Sequence, residues 1–398
     1  MEPMWPYGLD VAALTASGWR PSPLRTFVYK IHSRCDLACA YCYMYESVDQ
    51  SWRDQPPRMD SETIDRAARR VGEHARRHRL DQVGVIFHGG EPLLAGLDLI
   101  GEAVASVRRE VGPGVLTRFG VQTNGRMLTA AMTAGLAGLG VRVGVSVDGT
   151  AEAHDRHRRG KDGGGSHAVV RRNLLRLRDG EHAAIFNGVL CTVDLRNDPL
   201  ETYEALLEFA PPSVDFLLPH ANWSAPPPGA GPGTPYADWL LRVFARWYDA
   251  PVRETRVRSF EEILRLLLGR PARLESLGSA PLRYLVIETD GSFRQSDALK
   301  TAYAGAADLV GNVHTHPIDA ALAQPPMVAR QLGVTGLAPE CRHCPVVSVC
   351  GGGHYAHRYH PDTGFLNPTV YCRDLYALIQ GIRLRLEADV SALRDTAS

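Results

Sequence analysis

The stretch CDLACAYCYMYE, residues 35–46, sets three thiols at Cys35, Cys39 and Cys42. Thiolates hold zinc or iron–sulfur clusters, and their number and spacing bear on which. A closed zinc site takes four ligands, and no histidine stands at zinc-finger spacing after Cys42. A catalytic zinc with three protein ligands and an open position fits three thiols as well. So does a [4Fe–4S] cube bound at three irons, with the fourth iron open to a small molecule. A second set has four thiols: CRHCPVVSVCGGGH (341–354) reads Cx2Cx5Cx3H, and Cys372 follows in NPTVYCRDL. By spacing alone, Cys341, Cys344, Cys350 and Cys372 also suit a structural zinc. Cys191 lies in an apolar run and reads as a small buried hydrophobe.

These residues need elements to position them. Short β-rich runs recur at TFVYKIH (26–32), VGVIFHGGEP (83–92), RFGVQTNG (118–125), VRVGVSVDG (141–149), FNGVLCTVDL (186–195) and VDFLLPH (214–220). Helical patterns at 61–79, 97–111, 167–180 and 200–210 separate them. Strands alternating with helices imply βα units and a parallel sheet. The chemistry-bearing residues fall where the strands end: Cys35, Gly89-Gly90-Glu91, Asn124, Asp148 and His220. In α/β barrels that rim is where sites form, so the pattern predicts a six-stranded partial barrel. SAPPPGAGPGTP (224–235) reads as a surface loop. A helical stretch (236–269), the hairpin-like LVIETDGSFRQSD (285–297) and the cysteine quartet follow it.

The chain has 398 residues, 44% of them hydrophobic, enough for a sizeable core. Basic and acidic residues balance at 44 each, which argues against nucleic acid or a membrane surface as the main partner. Lysine occurs only at 30, 161 and 300; arginine supplies the remaining positive charge. The N-terminus lacks the layout of a signal peptide, and no apolar run approaches the roughly 18 residues of a membrane span. A cytoplasmic location follows, where clustered cysteines hold metal more often than disulfides.

Cx3CxYC after the first strand of a βα array resembles the signature of the radical S-adenosylmethionine enzymes. The resemblance implies a [4Fe–4S] cluster on Cys35, Cys39 and Cys42, whose open iron chelates S-adenosylmethionine. Reductive cleavage of that cofactor gives a 5′-deoxyadenosyl radical that abstracts hydrogen. HGGEP (88–92) resembles the family's GGE motif, so Gly89, Gly90 and the Glu91 carboxylate are expected to meet the cofactor's ammonium group. Asn124 in TNG and Ser146 in SVDG end the next strands as cofactor-facing residues. HDRHRRGKDGGGS (154–166) resembles the HDxxR…GxGS stretch of the peptide-modifying branch. By that match Arg158 approaches the cofactor carboxylate, while Leu190 and Tyr41 lie near adenine.

The quartet resembles the SPASM extension of enzymes that modify peptides and proteins, which carries two auxiliary [4Fe–4S] clusters. Here Ser296 replaces the cysteine after Gly291, no cysteine lies between 192 and 340, and His354 stands where the family has a cysteine. These are ligand positions of the first auxiliary cluster. One auxiliary cluster is therefore expected, on Cys341, Cys344, Cys350 and Cys372, with no residual cluster on His354. His354, His357 and His360, three residues apart, would share a face if helical, and read as packing or substrate residues rather than a metal site. His314 and His316 read as loop residues.

The implied fold is a partial (β/α)6 barrel: an N-terminal extension (1–25), barrel (26–223), linker and helical bridge (224–280) and SPASM-like domain (281–398). GGGHYAHRYHPDTGFLNPTVYC and ETDGSFRQSDALK resemble FxsB-type maturases, which form cyclophanes in ribosomally made peptides. That implies a carbon–carbon crosslink from an aromatic ring to the β-carbon of a nearby residue in a precursor peptide. The final loss of a proton and an electron needs a base and an acceptor. The auxiliary cluster is the expected acceptor, and Asp297 the expected base, by analogy with an aspartate in the sulfatase-oxidising SPASM enzymes. The alternative for Asp297 is a turn cap. Oxidation to formylglycine, other peptide modifications and a non-catalytic metal-binding adaptor are the competing functions. His220 and Trp223 are expected substrate contacts, and a reductant such as flavodoxin or ferredoxin an expected partner. The stretch before Cys35 is too short for a separate leader-binding domain, so the precursor is expected to bind elsewhere.

Overall fold

The structure, a computed structural model, describes residues 4–396. Six strands run in chain order: β1 (Thr26–His32), β2 (Gln82–Gly89), β3 (Leu116–Thr123), β4 (Val141–Ser146), β5 (Phe186–Thr192) and β6 (Ser213–Leu217). Each pairs in parallel with the next. They lie where the hydrophobic runs of the sequence place them, within a few residues at either end. Helices Ser61–Arg77, Gly96–Val111, Ala130–Leu139, His167–Asp179 and Pro199–Leu207 fill the crossovers. This is the α/β partial barrel expected.

Its layers follow from two periodicities. In β1, Phe27, Tyr29 and Ile31 point to one face and Val28, Lys30 and His32 to the other. Phe27, Tyr29 and Ile31 are buried. The helix Ser61–Arg77 turns Ile64, Ala67, Ala68, Val71 and Ala75 inward at three- and four-residue spacing. Asp60 caps it by accepting from the Thr63 N–H at 2.8 Å. Burial of a side chain such as Ile64 or Val71 stabilises by about 1.5–3 kcal/mol.

The sheet does not end at β1. The short β7 (Arg256–Val257) extends β6. On the far side, β8 (Tyr284–Ile287) pairs in parallel with β1, and β9 (Ser292–Arg294) and β10 (Asp308–Asn312) continue antiparallel. The ten-stranded order is β10-β9-β8-β1-β2-β3-β4-β5-β6-β7. The hairpin expected at 285–297 is thus present, and it joins the barrel's own sheet. The helical stretch expected over 236–269 is two helices, Pro235–Tyr248 and Arg258–Leu267, broken around Pro251. Helix Pro235–Tyr248 packs against the long helix Cys372–Thr396, whose Asp374 carboxylate accepts from the Tyr236 and Ala237 N–H groups at 2.8 and 3.0 Å. That satisfies two amides left free at a helix start. A second, smaller core joins Ala298, Leu299, Ala302, Tyr355, Tyr359 and Phe365, with Trp5 packed against it. No described helix is long and apolar enough to cross a membrane.

After Cys350 the chain makes a tight left-handed turn through Gly351, Gly352 and Gly353, with φ of 59°, 79° and 67°. Its three carbonyls accept from the buried Arg358 guanidinium at 2.7–3.0 Å. A Cβ at Gly351 would collide with the Gly278 carbonyl, on top of the cost of positive φ. Gly351→Ala is therefore expected to destabilise by about 3 kcal/mol. Gly114→Ala, at a position with open space around it, should change little. Urea midpoints of the two variants check the difference.

Candidate active site

From His32 the chain enters the cysteine loop, which is clamped on two sides. On one side the Gly90 N–H donates to the His32 carbonyl and the Glu91 N–H to that of Arg34, both at 2.9 Å. A Cβ on Gly89 would collide with the His32 carbonyl, and one on Gly90 with the Tyr45 hydroxyl and the Arg34 backbone. That close approach is why β2 ends in two glycines. On the other side the Ala38 N–H donates to Arg159 O at 2.8 Å and the Ala40 N–H to His157 O at 3.1 Å. Within the loop the Cys42 N–H donates to Cys39 O at 3.0 Å, and Tyr45 Oη donates to Ser33 O at 2.9 Å.

Burial pushes the Cys35 thiol up to about 12 and Cys39 to about 11, and raises Cys42 as well. Thiols this reluctant to ionise are poor nucleophiles, and a bound cationic centre would offset the cost of the thiolates. The three half-buried thiols on one clamped loop fit the radical cluster. Asn124 Nδ2 donates to Asp36 Oδ1 at 2.7 Å, and Arg126 pairs with the same carboxylate at 3.2 Å. Asn124 therefore steadies the residue after Cys35, and Asp36 and Arg126 are loop-holding residues that spacing did not reveal.

Arg158 lies beside Cys39. Its Nη1 donates to Tyr41 Oη at 2.9 Å, and the Tyr41 hydroxyl donates to Asp148. Its Nε is buried without a partner. An unpaired guanidinium N–H next to the cysteine loop fits the carboxylate of S-adenosylmethionine. The HD and S of HDRHRRGKDGGGS build this position. Asp155 accepts from the Ser166 and His167 N–H groups at 2.8 Å, and Ser166 Oγ donates to Arg158 O at 2.5 Å. Ser146 and Leu190 stand opposite each other across β4 and β5, both half-buried. Tyr41 has its hydroxyl held between Arg158 and Asp148 and its ring against His157.

Glu91 needs correction. Its side chain is fully buried, with Oε1 accepting from Leu93 N–H at 3.0 Å and Thr123 Oγ1 at 2.6 Å, and Oε2 accepting from Asn124 N–H at 2.8 Å. The carboxyl ties the end of β2 to the end of β3 instead of reaching a cofactor ammonium group. Burial outweighs these donors and pushes it up to about 7.

Asp297 opens a short 3₁₀ turn (Asp297–Thr301) and is not a hairpin cap. Its Oδ2 meets Lys30 Nζ at 2.7 Å, and both side chains are buried. Lys30 Nζ also contacts Met44 Sδ and Gly89 O, each at 3.3 Å, so the pair abuts the cysteine loop and the end of β2. Burial alone would raise the Asp297 carboxyl, but Lys30, His88 and Lys300 together hold it below its ordinary value. It is a buried carboxylate, and its Oδ1 has no partner. Lys300 is equally buried, bonding Ser51 Oγ at 3.0 Å and lying 3.6 Å from Asp49. Two of the chain's three lysines are thus inside the protein. Their scarcity in the sequence was the available signal for them.

The quartet lies on three short elements and one long one. Cys341 is on helix Pro339–Arg342, Cys344 follows it, Cys350 ends helix Val347–Cys350, and Cys372 begins the final helix. Cys341 feels the charges of Cys372 and Cys344, and Cys350 those of Cys372 and Cys341, so the four thiols converge. Four thiols leave no ligand position open, which suits a closed auxiliary cluster. Cys191 is fully buried on β5. Trp223 is half-exposed, its Nε1–H donating to Pro368 O at 2.8 Å, so it fastens the loop after β6 to the extension. His220 faces inward, its ring 4.7 Å from Tyr43. His314 and His316 lie on the turn after β10, as expected.

A partial barrel with an open three-cysteine loop on its C-terminal rim defines a cluster enzyme that works on an externally bound cofactor. Residues 29–210 match the sequence model of the radical SAM superfamily, and the barrel is a radical SAM domain. The serine-type anaerobic sulfatase-maturating enzyme of Klebsiella aerogenes is 26% identical over 362 residues, 86% of this chain and 82% of its own. The structure of native anSMEcpe with bound AdoMet and Cp18Cys peptide superposes with a TM-score of 0.74 at 21% identity, covering 94% of this chain and 100% of that one. Streptococcus suis SuiB bound to precursor peptide SuiA gives a TM-score of 0.57 at 13% identity over 91% and 78% of the two chains. The chain is a radical SAM enzyme, with S-adenosylmethionine and iron–sulfur clusters as its cofactors.

Two expectations follow. Gly90→Ala should displace Tyr45 and the loop, losing about four irons per chain while the quartet keeps its own; iron analysis after anoxic reconstitution reads this directly. The folded Glu91 value, about 7, lies above the ordinary carboxyl value of about 4.3. The folded state then holds the extra proton, so stability falls as pH rises from about 4.5 to about 7, by on the order of 3 kcal/mol. Glu91→Gln should flatten that decline in denaturant midpoints measured across the range.

Proposed function

We propose that the enzyme oxidises a side chain of a peptide or protein by two electrons, starting at the β-carbon. The observation that carries this is Asp297, a buried carboxylate held by Lys30 against the cysteine loop. In this reading residues 26–223 form the radical barrel, 224–280 the bridge and 281–398 the cluster-bearing extension.

S-adenosylmethionine, when bound to the loop of Cys35, Cys39 and Cys42, supplies the radical that removes the β-hydrogen. Gly89 and Gly90 bring the backbone close to that loop, Arg158 receives the cofactor carboxylate, and Asn124 keeps the loop's first turn in place. Ser146 and Leu190 line the adenosyl side, with Tyr41 nearby. Asp297 Oδ1, free of protein partners, accepts the proton that the oxidised carbon must lose. Lys30 keeps that carboxylate ionised in spite of burial. Cys341, Cys344, Cys350 and Cys372 hold the centre that receives the second electron. A flavodoxin- or ferredoxin-type reductant supplies the first.

Formylglycine-type oxidation of a serine or cysteine is the reaction we favour, since relatives across most of the chain are sulfatase-maturating enzymes. The aromatic-to-β-carbon crosslink is the second reading, favoured by Ser296 and His354 standing at positions where cysteines of a second auxiliary cluster are expected. Both reactions remove two hydrogens from a serine-containing or aromatic-containing peptide, so both lower its mass by about 2 Da. A carbonyl reagent separates them: an aldehyde forms a hydrazone, and a crosslinked ring does not. Coexpression with the candidate peptide followed by this test decides the product. Asp297→Asn should slow product formation by about 100-fold or more, while reductive release of 5′-deoxyadenosine continues and iron content is unchanged. Full product formation in this variant would remove Asp297 from the mechanism.

A further inference from the structure

Beside the oxidation machinery, three imidazoles converge from distant parts of the chain. His220 follows β6, and His354 and His357 flank the short 3₁₀ turn Tyr355–Arg358. Their ring centroids are 5.7, 5.8 and 4.9 Å apart, and one nitrogen from each falls within 4.8 Å of the other two. The expected grouping of His354, His357 and His360 does not occur. Residues 355–358 form a single turn, and His360 points elsewhere, accepting from the Asp362 N–H at 3.1 Å.

The convergence leaves unusual debts in hydrogen bonding. His220 Nδ1, His354 Nδ1 and His357 Nε2 are all buried without a partner. Buried polar atoms are nearly always satisfied, and three orphans on three touching rings call for a common ligand. A second histidine cluster in the fold shows the contrast. His74 and His78 both meet Asp319 Oδ1, at 3.0 and 2.7 Å, and His74 Nε2 reaches the Leu24 backbone at 3.1 Å. Those nitrogens are already employed in a structural network.

We propose that His220, His354 and His357 form a binding site for one divalent first-row transition metal ion, separate from both iron–sulfur clusters. Imidazole nitrogens suit zinc, copper, nickel and iron. Burial lowers all three rings, His220 to about 4, so they are neutral and free to ligate. The cations nearby are matched: Arg330 pairs with Glu275, and Arg358 is held by three glycine carbonyls. Three protein ligands leave a coordination position for water or a heteroatom of the peptide. Tyr43, next to Cys42, packs its ring on His220, so the ion would lie one side chain from the cysteine loop. On the other side, only the glycine turn separates His354 from Cys350.

The test uses the reconstituted enzyme, incubated anoxically with Zn2+ and freed of loosely held metal with a mild chelator. We expect about one zinc per chain beyond the cluster iron, bound by nitrogen and oxygen at about 2.0–2.1 Å in zinc-edge X-ray absorption. His220→Ala and His357→Ala should each lower retained zinc at least fivefold with iron unchanged, while His360→Ala keeps both. Absence of stoichiometric zinc in the wild type, a zinc shell containing sulfur, or zinc unaffected by the histidine variants would overturn the proposal. If the variants lose iron as well, the absorption spectrum of the wild type decides alone. These readouts do not depend on which peptide reaction the enzyme performs.

Discussion

Everything in this enzyme depends on holding one exposed loop still. A segment that must offer three thiols to a cluster cannot also bury itself in a core, so its position has to be imposed from outside. The glycines at the end of β2 and the backbone of residues 157–159 do this with main-chain hydrogen bonds on opposite sides. The side-chain requirements nearby are consequences of that arrangement. Glu91 turns inward because its own amide already holds the loop and its carboxyl is within reach of the next strand end. His154, Asp155 and Ser166 exist in their pattern because the far side of the clamp needs a rigid backing, and the same backing delivers Arg158 beside Cys39.

The second constraint is electrostatic. Lys30 and Asp297 are both removed from water, and neither charge would be tolerated there alone; breaking such a pair costs several kcal/mol. The pair links the first strand of the barrel to the extension, so the geometry of the candidate base is set by the strand that leads into the cysteine loop. Lys300 repeats the device with Asp49 and Ser51, again joining the extension to the segment after the cysteine loop. Together they make the extension part of the reaction chamber's wall.

Much of this was legible in the sequence because it is local. Period-two runs ending in Gly, Asn or Asp marked the strands and the rim, and thiol spacing marked both cluster sets. What escaped was non-local. The inward turn of Glu91 depends on the amide of Asn124, the burial of Lys30 on Asp297, and the assembly of the histidines on His220 arriving from β6. The even spacing of His354, His357 and His360 suggested a helical face, and the chain instead forms one tight turn and moves away. Spacing describes a face only when the intervening backbone is regular. The scarcity of lysine in an arginine-rich chain was a global hint, without position or partner.

The parallel pairing of β8 with β1 has a consequence for how the molecule comes into being. The strand that leads into the cysteine loop needs, as one of its two neighbours, a segment more than 250 residues later in the chain. Contacts of such long range form late and slowly. On the ribosome, β1 waits with an open hydrogen-bonding edge until most of the polypeptide has emerged, and such an edge invites mispairing. Completion of the sheet and assembly of the metal centre therefore belong to the end of biogenesis, after the C-terminal third has been made.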